Sequence, residues 1–188
     1  MARKKSFVAI CGSTRTQSSN LSLLKAIATL MRDEIDLKIF TGIATLPHFN
    51  PDLEHPTPPE AITQFRGLLR AADAILICTP EYAMGVPGSL KNSIDWTVSS
   101  CEFSKKPTAL ITASSLGYKG HQSLMETLRI IEANVTNHTN LVISYIKTKV
   151  SPTGEITDTG TKEQILHVMH ALVALTDHPP FQVMNNQY

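Results

Sequence analysis

Charge of one sign is what this chain most clearly lacks. Seventeen Lys and Arg residues stand against sixteen Asp and Glu, a formal net charge of +1 over 188 residues. Strong basicity therefore offers no argument for a nucleic-acid surface, and the one local cluster, Arg3-Lys4-Lys5, lies at a terminus prone to fraying. Cysteine is scarce as well. Cys11, Cys78 and Cys101 are odd in number and share no metal-ligand spacing, so they read as reduced thiols, the first two in the core. No apolar run approaches the roughly 18 residues of a membrane span, and no signal peptide is visible, so a cytoplasmic protein without a membrane partner is expected. The sequons at Asn20, Asn134 and Asn137 carry no weight in that compartment. There is no internal repeat and no low-complexity segment. The Gly-x-Gly-x-x-Gly of a dinucleotide fold and the Gly-Lys-Ser/Thr of a triphosphate loop are both missing.

What is present is apolar and regularly spaced. Hydrophobic residues make up 42% of the chain and charged residues 18%, enough for one domain over residues 1–188 with its own core. Five short apolar runs read as strands: 6–11, 36–40, 74–78, 107–113 and 140–144. Between them, apolar residues recur at helical spacing from Ser19 or Asn20 to Met31, and over 60–71, 88–99 and 121–133, with a last helix over 161–176. The stretch holding Pro47, Pro51, Pro56, Pro58 and Pro59 is expected to be loop, and Gly154 to turn a small hairpin over 151–159. The tail from His178, with Phe181, Val183 and Met184, is expected to dock or to form an oligomer contact. Strands alternating with helices predict an α/β fold with one parallel sheet.

Ligands of an open parallel sheet sit beyond the carboxyl ends of its strands, so the loops there are the ones to read. The first runs Gly12-Ser13-Thr14-Arg15-Thr16-Gln17-Ser18-Ser19-Asn20 and offers hydroxyls, free N–H groups at a helix start and one arginine. That suits a terminal phosphate monoester, although a Ser/Thr-rich capping turn has the same composition. The second, Pro80 to Gly88, holds two prolines and two glycines within nine residues. A rigid path of this kind exposes backbone polar groups able to read a planar heterocycle such as a flavin ring, or it merely shapes the start of the next helix, with Gly88 permitting the turn. The third, Ser114 to Gly120, could close over the other side of a ring or serve as an ordinary strand-to-helix turn.

Taken together, Gly12-Ser13-x-Arg15-x-x-Ser18-x-Asn20, Pro80-Glu81-Tyr82 and Pro87-Gly88-x-Leu90-Lys91-Asn92-x-Ile94-Asp95-Trp96 resemble the NAD(P)H-dependent FMN reductase family. The resemblance spans the domain from the first strand to the last helix. It implies a flavodoxin-like three-layer sandwich with a five-stranded sheet in the order 2-1-3-4-5, and FMN as cofactor. It implies NADPH or NADH as donor, with electrons passing through flavin N5 to a small acceptor such as free flavin, a quinone, an azo compound or a metal oxyanion. It also implies a homodimer or homotetramer. Ser13, Arg15, Ser18, Ser19 and Asn20 would surround the phosphate. Pro80, Glu81, Tyr82 and Ala83 would contact the ring, and Ser115, Leu116, Gly117 and Tyr118 would flank the ring or ribityl chain. The chain departs from the family where Asn is common at Ala83 and Ser at Gly85, and where a Gly pair often stands at Lys119-Gly120.

Other residues attract competing readings. His167 and His170 share a helix face without a metal motif, and Asp158-Thr159-Gly160 copies an aspartic-protease string in the wrong fold class. His121 could touch substrate, cap a helix or face solvent. Lys119 is the nearest candidate to attract a nicotinamide nucleotide phosphate. No residue is expected to be catalytic in the acid–base sense, because the flavin carries the chemistry. Two rivals remain: an electron carrier of flavodoxin type, against which the near-zero net charge argues, and a non-flavin α/β enzyme that binds another phosphate monoester.

Overall fold

Strand residues alternate between two cores, and that alternation explains the layering. In a computed structural model, which describes residues 3–151 and 153–177, Phe7, Ala9 and Cys11 enter one core while Val8 and Ile10 enter the other. Strands β1 (Lys5–Cys11), β2 (Ile35–Phe40), β3 (Ala74–Thr79), β4 (Thr108–Ala113) and β5 (Asn140–Ile143) form one parallel sheet in the order β2-β1-β3-β4-β5. Helices α1 (Ser19–Leu30) and α5 (Thr159–Asp177) cover the first face, through side chains including Leu23, Leu24, Ile165 and Met169. Helices α2 (Glu60–Ala71), α3 (Gly88–Asp95) and α4 (Tyr118–Ile130) cover the other, through Phe65, Leu69, Ile94 and Leu124. A sheet buried on both sides favours predominantly apolar strands, and β3 and β4 are buried at every residue, with threonine as their one polar residue type. Fold class and strand order match the flavodoxin-like expectation.

Most boundaries fall within two residues of the sequence-based ones, and α3, α4 and β5 differ for identifiable reasons. Helix α3 ends at Asp95 instead of Ser99, because Thr97 turns its hydroxyl onto the Ile94 carbonyl at 2.6 Å and the chain winds on through turns to Lys105. Helix α4 starts at Tyr118, three residues early, and ends at Ile130, just before Glu132 takes a left-handed φ of 59°. Strand β5 stops at Ile143, after which Tyr145 is left-handed at φ 56°. The hairpin around Gly154 (φ 84°) is present, with a bridge between Val150 and Ile156. The Pro-rich stretch is loop with one short 3-10 turn, at Pro51–Glu54, and a second such turn, at Gly42–Ala44, precedes it. The apolar tail from His178 lies outside the described residues. None of the described helices is long and apolar enough to cross a membrane.

Candidate active site

Between β1 and β3 the connections leave the sheet in opposite directions, and a cleft opens there beyond the strand ends. Gly12 lets the chain leave β1: its N–H donates to the Cys78 carbonyl at 2.8 Å, and a Cβ would lie 2.5 Å from Thr79 Oγ1. Ser18 caps α1, accepting from the Leu21 N–H, and Ser13 accepts from the Arg15 N–H. Both hydroxyls serve the backbone as acceptors, so each keeps its proton to donate into the cleft. Arg15 is exposed and forms no ion pair among the described residues.

The loop after β3 is built around a tight turn. Tyr82 and Gly85 exchange two backbone hydrogen bonds, each 2.9 Å, while Ala83 (φ 49°) and Met84 (φ 62°) are both left-handed. Glu81 spends its side chain locally: its Oε2 accepts from the Gly120 N–H at 2.6 Å, in the first turn of α4. Gly117 caps that helix at φ 100° and has no side chain to accept with, so Glu81 reaches across to do so. A Cβ on Gly120 would lie 2.8 Å from the Gly85 carbonyl, so this close approach of two loops depends on glycine. Glu81 N–H also donates to Ser114 Oγ at 3.2 Å.

The resulting cleft holds about 420 Å³, within the usual range for small-molecule sites. Among the expected residues, Ser13, Arg15, Ser18, Ser19, Asn20, Pro80, Glu81, Tyr82 and Ser115 line it. Asn20 does so as part of the floor: its Nδ2 donates to the Ala113 carbonyl and its Oδ1 accepts from Cys78 Sγ, bridging β3 and β4. Ala83, Leu116, Gly117 and Tyr118 do not line it. Ala83 stands in the Tyr82–Gly85 turn, Leu116 and Tyr118 are exposed, and Gly117 lies close to Thr112 and Val142. Lys119 is exposed and also outside the lining. Gly88 adopts no left-handed φ and a Cβ there would meet nothing within 4 Å, so it does not impose the turn expected of it.

One wall was missed by sequence reasoning. Tyr145, Ile146, Lys147 and Thr148 follow β5 and line the cleft, held by N–H groups of Tyr145 and Ile146 donating to the Ser115 and Ser114 carbonyls. The signal was available, since the loop after β5 leaves the same sheet edge as the other three. His121 lies beneath, half-buried: Asn140 gives its Nδ2 to the Thr136 carbonyl, so Oδ1 faces His121 Nε2–H at 3.3 Å, and Nδ1 accepts from Thr112 Oγ1 at 2.9 Å. Burial is the main reason its pKa is pushed below the ordinary value, only partly opposed by the Asn140 contact. Burial likewise raises the thiol pKa of Cys11 and, further, of Cys78, which leaves both inert. Asp158 accepts from the Thr161 N–H at the start of α5, so the protease-like string is a helix cap. No group of three or more metal-ligating side chains occurs among the described residues.

Known proteins agree with this architecture. The chain matches the NADPH-dependent FMN reductase family over residues 6–148. It is 32% identical to an NAD(P)H-dependent FMN reductase of Pseudomonas aeruginosa over 168 residues, covering 87% of this chain and 90% of that protein. A quinone reductase of Escherichia coli is 31% identical over 176 residues, 88% of this chain and 92% of the relative. A quinone reductase of Pseudomonas putida is 38% identical over a shorter 117 residues, 61% of this chain and 62% of that one. Among solved structures, FerB from Paracoccus denitrificans, a flavoenzyme NAD(P)H:(acceptor) oxidoreductase, superposes with a TM-score of 0.82 at 26% identity, covering 92% of this chain and 97% of FerB. With the family matched across most of its length, on a sheet of this order and with a cleft at this edge, the chain belongs to the NADPH-dependent FMN reductases.

Proposed function

We propose that the cleft holds FMN, its phosphate monoester against the loop from Ser13 to Ser19 and its ring beside Pro80, Tyr82 and Ser115. Family membership gives the general activity: NAD(P)H-dependent oxidation with electrons passed to a small-molecule acceptor. The observation that carries the cofactor placement is the pair of hydroxyls, Ser18 capping α1 and Ser13 in the loop before it, with protons left to donate beside Arg15, which has no ion pair among the described residues. A phosphate dianion takes several short donors and one guanidinium, and the start of α1 adds its positive end. Bound FMN supplies hydride acceptance from nicotinamide and electron release to the acceptor. The protein's part is to anchor the phosphate, hold Pro80 to Tyr82 rigid through the turn and the Glu81 cap, and exclude water. No acid–base pair is needed. Tyr82 and Tyr145 on the cleft wall are exposed, as are Met84, Leu116 and Tyr118 in the segments that follow β3 and β4, and large apolar side chains left in water there support a homodimer or homotetramer that covers the cleft.

Titration with FMN, FAD and riboflavin, followed by flavin fluorescence, tests the placement: FMN is expected to bind tightest. Arg15→Ala should weaken FMN on the order of ten- to hundredfold, the worth of one charge-assisted contact, and leave folding unchanged. Equal affinity for FMN and riboflavin, or an unaltered Arg15→Ala variant, would place the phosphate elsewhere. Oxidation of NADPH or NADH by the flavin-loaded protein with a quinone or free flavin then separates a reductase from an electron carrier.

A further inference from the structure

Lys147 lies on the wall that sequence reasoning missed, in the 3-10 turn Ile146–Thr148 after β5. The base of that turn is fixed. Ile146 is buried, Tyr145 and Ile146 donate to the β4–α4 loop at 3.1 and 3.2 Å, and the Thr148 N–H closes the turn onto the Tyr145 carbonyl. The side chain is exposed, and its ammonium pairs with no carboxylate among the described residues. Arg15, which lines the same cleft, is also unpaired. The cleft's single acidic residue, Glu81, is engaged by the Gly120 N–H. Two free cations and one engaged carboxylate make a cleft with an unmet demand for negative charge. In a partly desolvated site, an anion is the ligand that meets it.

We propose that Lys147 is a second cation for the cofactor phosphate and sets the preference for FMN over riboflavin, with Arg15 on one side of the dianion and Lys147 on the other. This rests on the FMN placement proposed above. The shared chemistry is a phosphate monoester, which FMN carries on its ribityl chain and NADPH on its ribose. Lys147 is assigned to the first because the turn that bears it lines one cleft with Ser18 and Ser19.

The test compares parent, Lys147→Gln, Lys147→Arg and Lys119→Gln proteins, with FMN and riboflavin as probes, at low and high salt. Lys147→Gln should lose about tenfold in FMN affinity, as one charge-assisted contact predicts. Its riboflavin affinity and thermal midpoint should not change. The salt dependence of FMN binding should flatten, Lys147→Arg should restore affinity, and Lys119→Gln should match the parent. Lys147→Gln binding FMN within twofold of the parent would overturn the assignment. So would a loss confined to NADPH relative to NADH, which would give Lys147 to the nicotinamide nucleotide. A parent protein with no preference for FMN over riboflavin would fail before any variant is made, and would overturn the underlying placement together with this one.

Discussion

Ala83 and Met84 occupy the two central positions of the Tyr82–Gly85 turn, both at positive φ, where a β-carbon crowds the backbone. Turns of this hand favour Asn and Gly, because a short polar side chain or no side chain relieves the crowding. Ala83→Asn should therefore stabilise the fold, by about 0.5–1 kcal/mol, and raise the denaturant midpoint. A lowered midpoint would mean the turn is held in some other conformation. Ala83 lies outside the cleft lining, so the variant's FMN affinity should stay close to the parent's. Gly88→Val bears on the earlier expectation about rigidity. With open space for a Cβ and no left-handed φ, it should fold and bind FMN as the parent does. The strain in this loop belongs to the alanine and methionine, and the glycine carries none of it.

Polar contacts at their ends tie the elements together. The motif from Pro87 to Trp96, central to the family resemblance, serves the packing of the Pro-rich stretch and lies outside the cleft lining. Asn92 Nδ2 and Trp96 Nε1 both donate to the Pro47 carbonyl, at 3.0 and 2.8 Å, and Asn92 Oδ1 accepts from the Phe49 N–H. Those contacts fasten the Pro-rich stretch to α3, while Arg66 reaches from α2 to the Trp96 carbonyl and to Glu54. His121, half-buried, ties α4 to β4 and to Asn140 of β5. Its depressed pKa has a defined sign. Below the ordinary value of about 6.5, the unfolded chain takes up a proton that the folded chain resists, so stability falls as pH falls through that window and is fully present above it. The free energy of urea unfolding should decline from pH 7.5 to 5.5 in the parent and less steeply in His121→Gln. Identical slopes would show that His121 is not held neutral. Glu54, whose pKa is lowered chiefly by its hydrogen bond from Arg66, contributes in a more acidic range, and its share is lost as pH falls through its depressed value.

At the scale of the whole molecule, the exposure of Tyr82, Met84, Leu116, Tyr118 and Tyr145, all in segments that follow β3, β4 and β5, sets an expectation for assembly. Met84 is 74% exposed and Tyr118 64%, large apolar side chains that a lone domain would leave in water. Light scattering should report a multiple of the 20.6 kDa chain mass, and Met84→Lys should shift the population toward the single chain. A particle of 20.6 kDa across a wide concentration range would rule the assembly out. Addition of FMN should favour the larger species if the second copy closes over the ring.

The order of strands and helices was legible from the sequence because a sheet buried on both faces demands uninterrupted apolar runs, and amphipathic helices must cover it. That the hydroxyl-rich loop lines the cleft was legible because it follows β1, at the carboxyl edge of the sheet. Helix ends were less so: Thr97 ended α3 through its own hydroxyl, and α4 began early because Glu81, thirty-nine residues from Gly120, supplies the cap that Gly117 cannot. No local pattern encodes a partner that distant. Asn20 and Glu81 look in sequence like ligand contacts, and tertiary structure turned both side chains to protein partners. Lys147 and Tyr145 carry no motif at all. They reach the cleft because β5 pairs with β4 in parallel, which delivers the loop after β5 to the same edge as the loops that the sequence had marked.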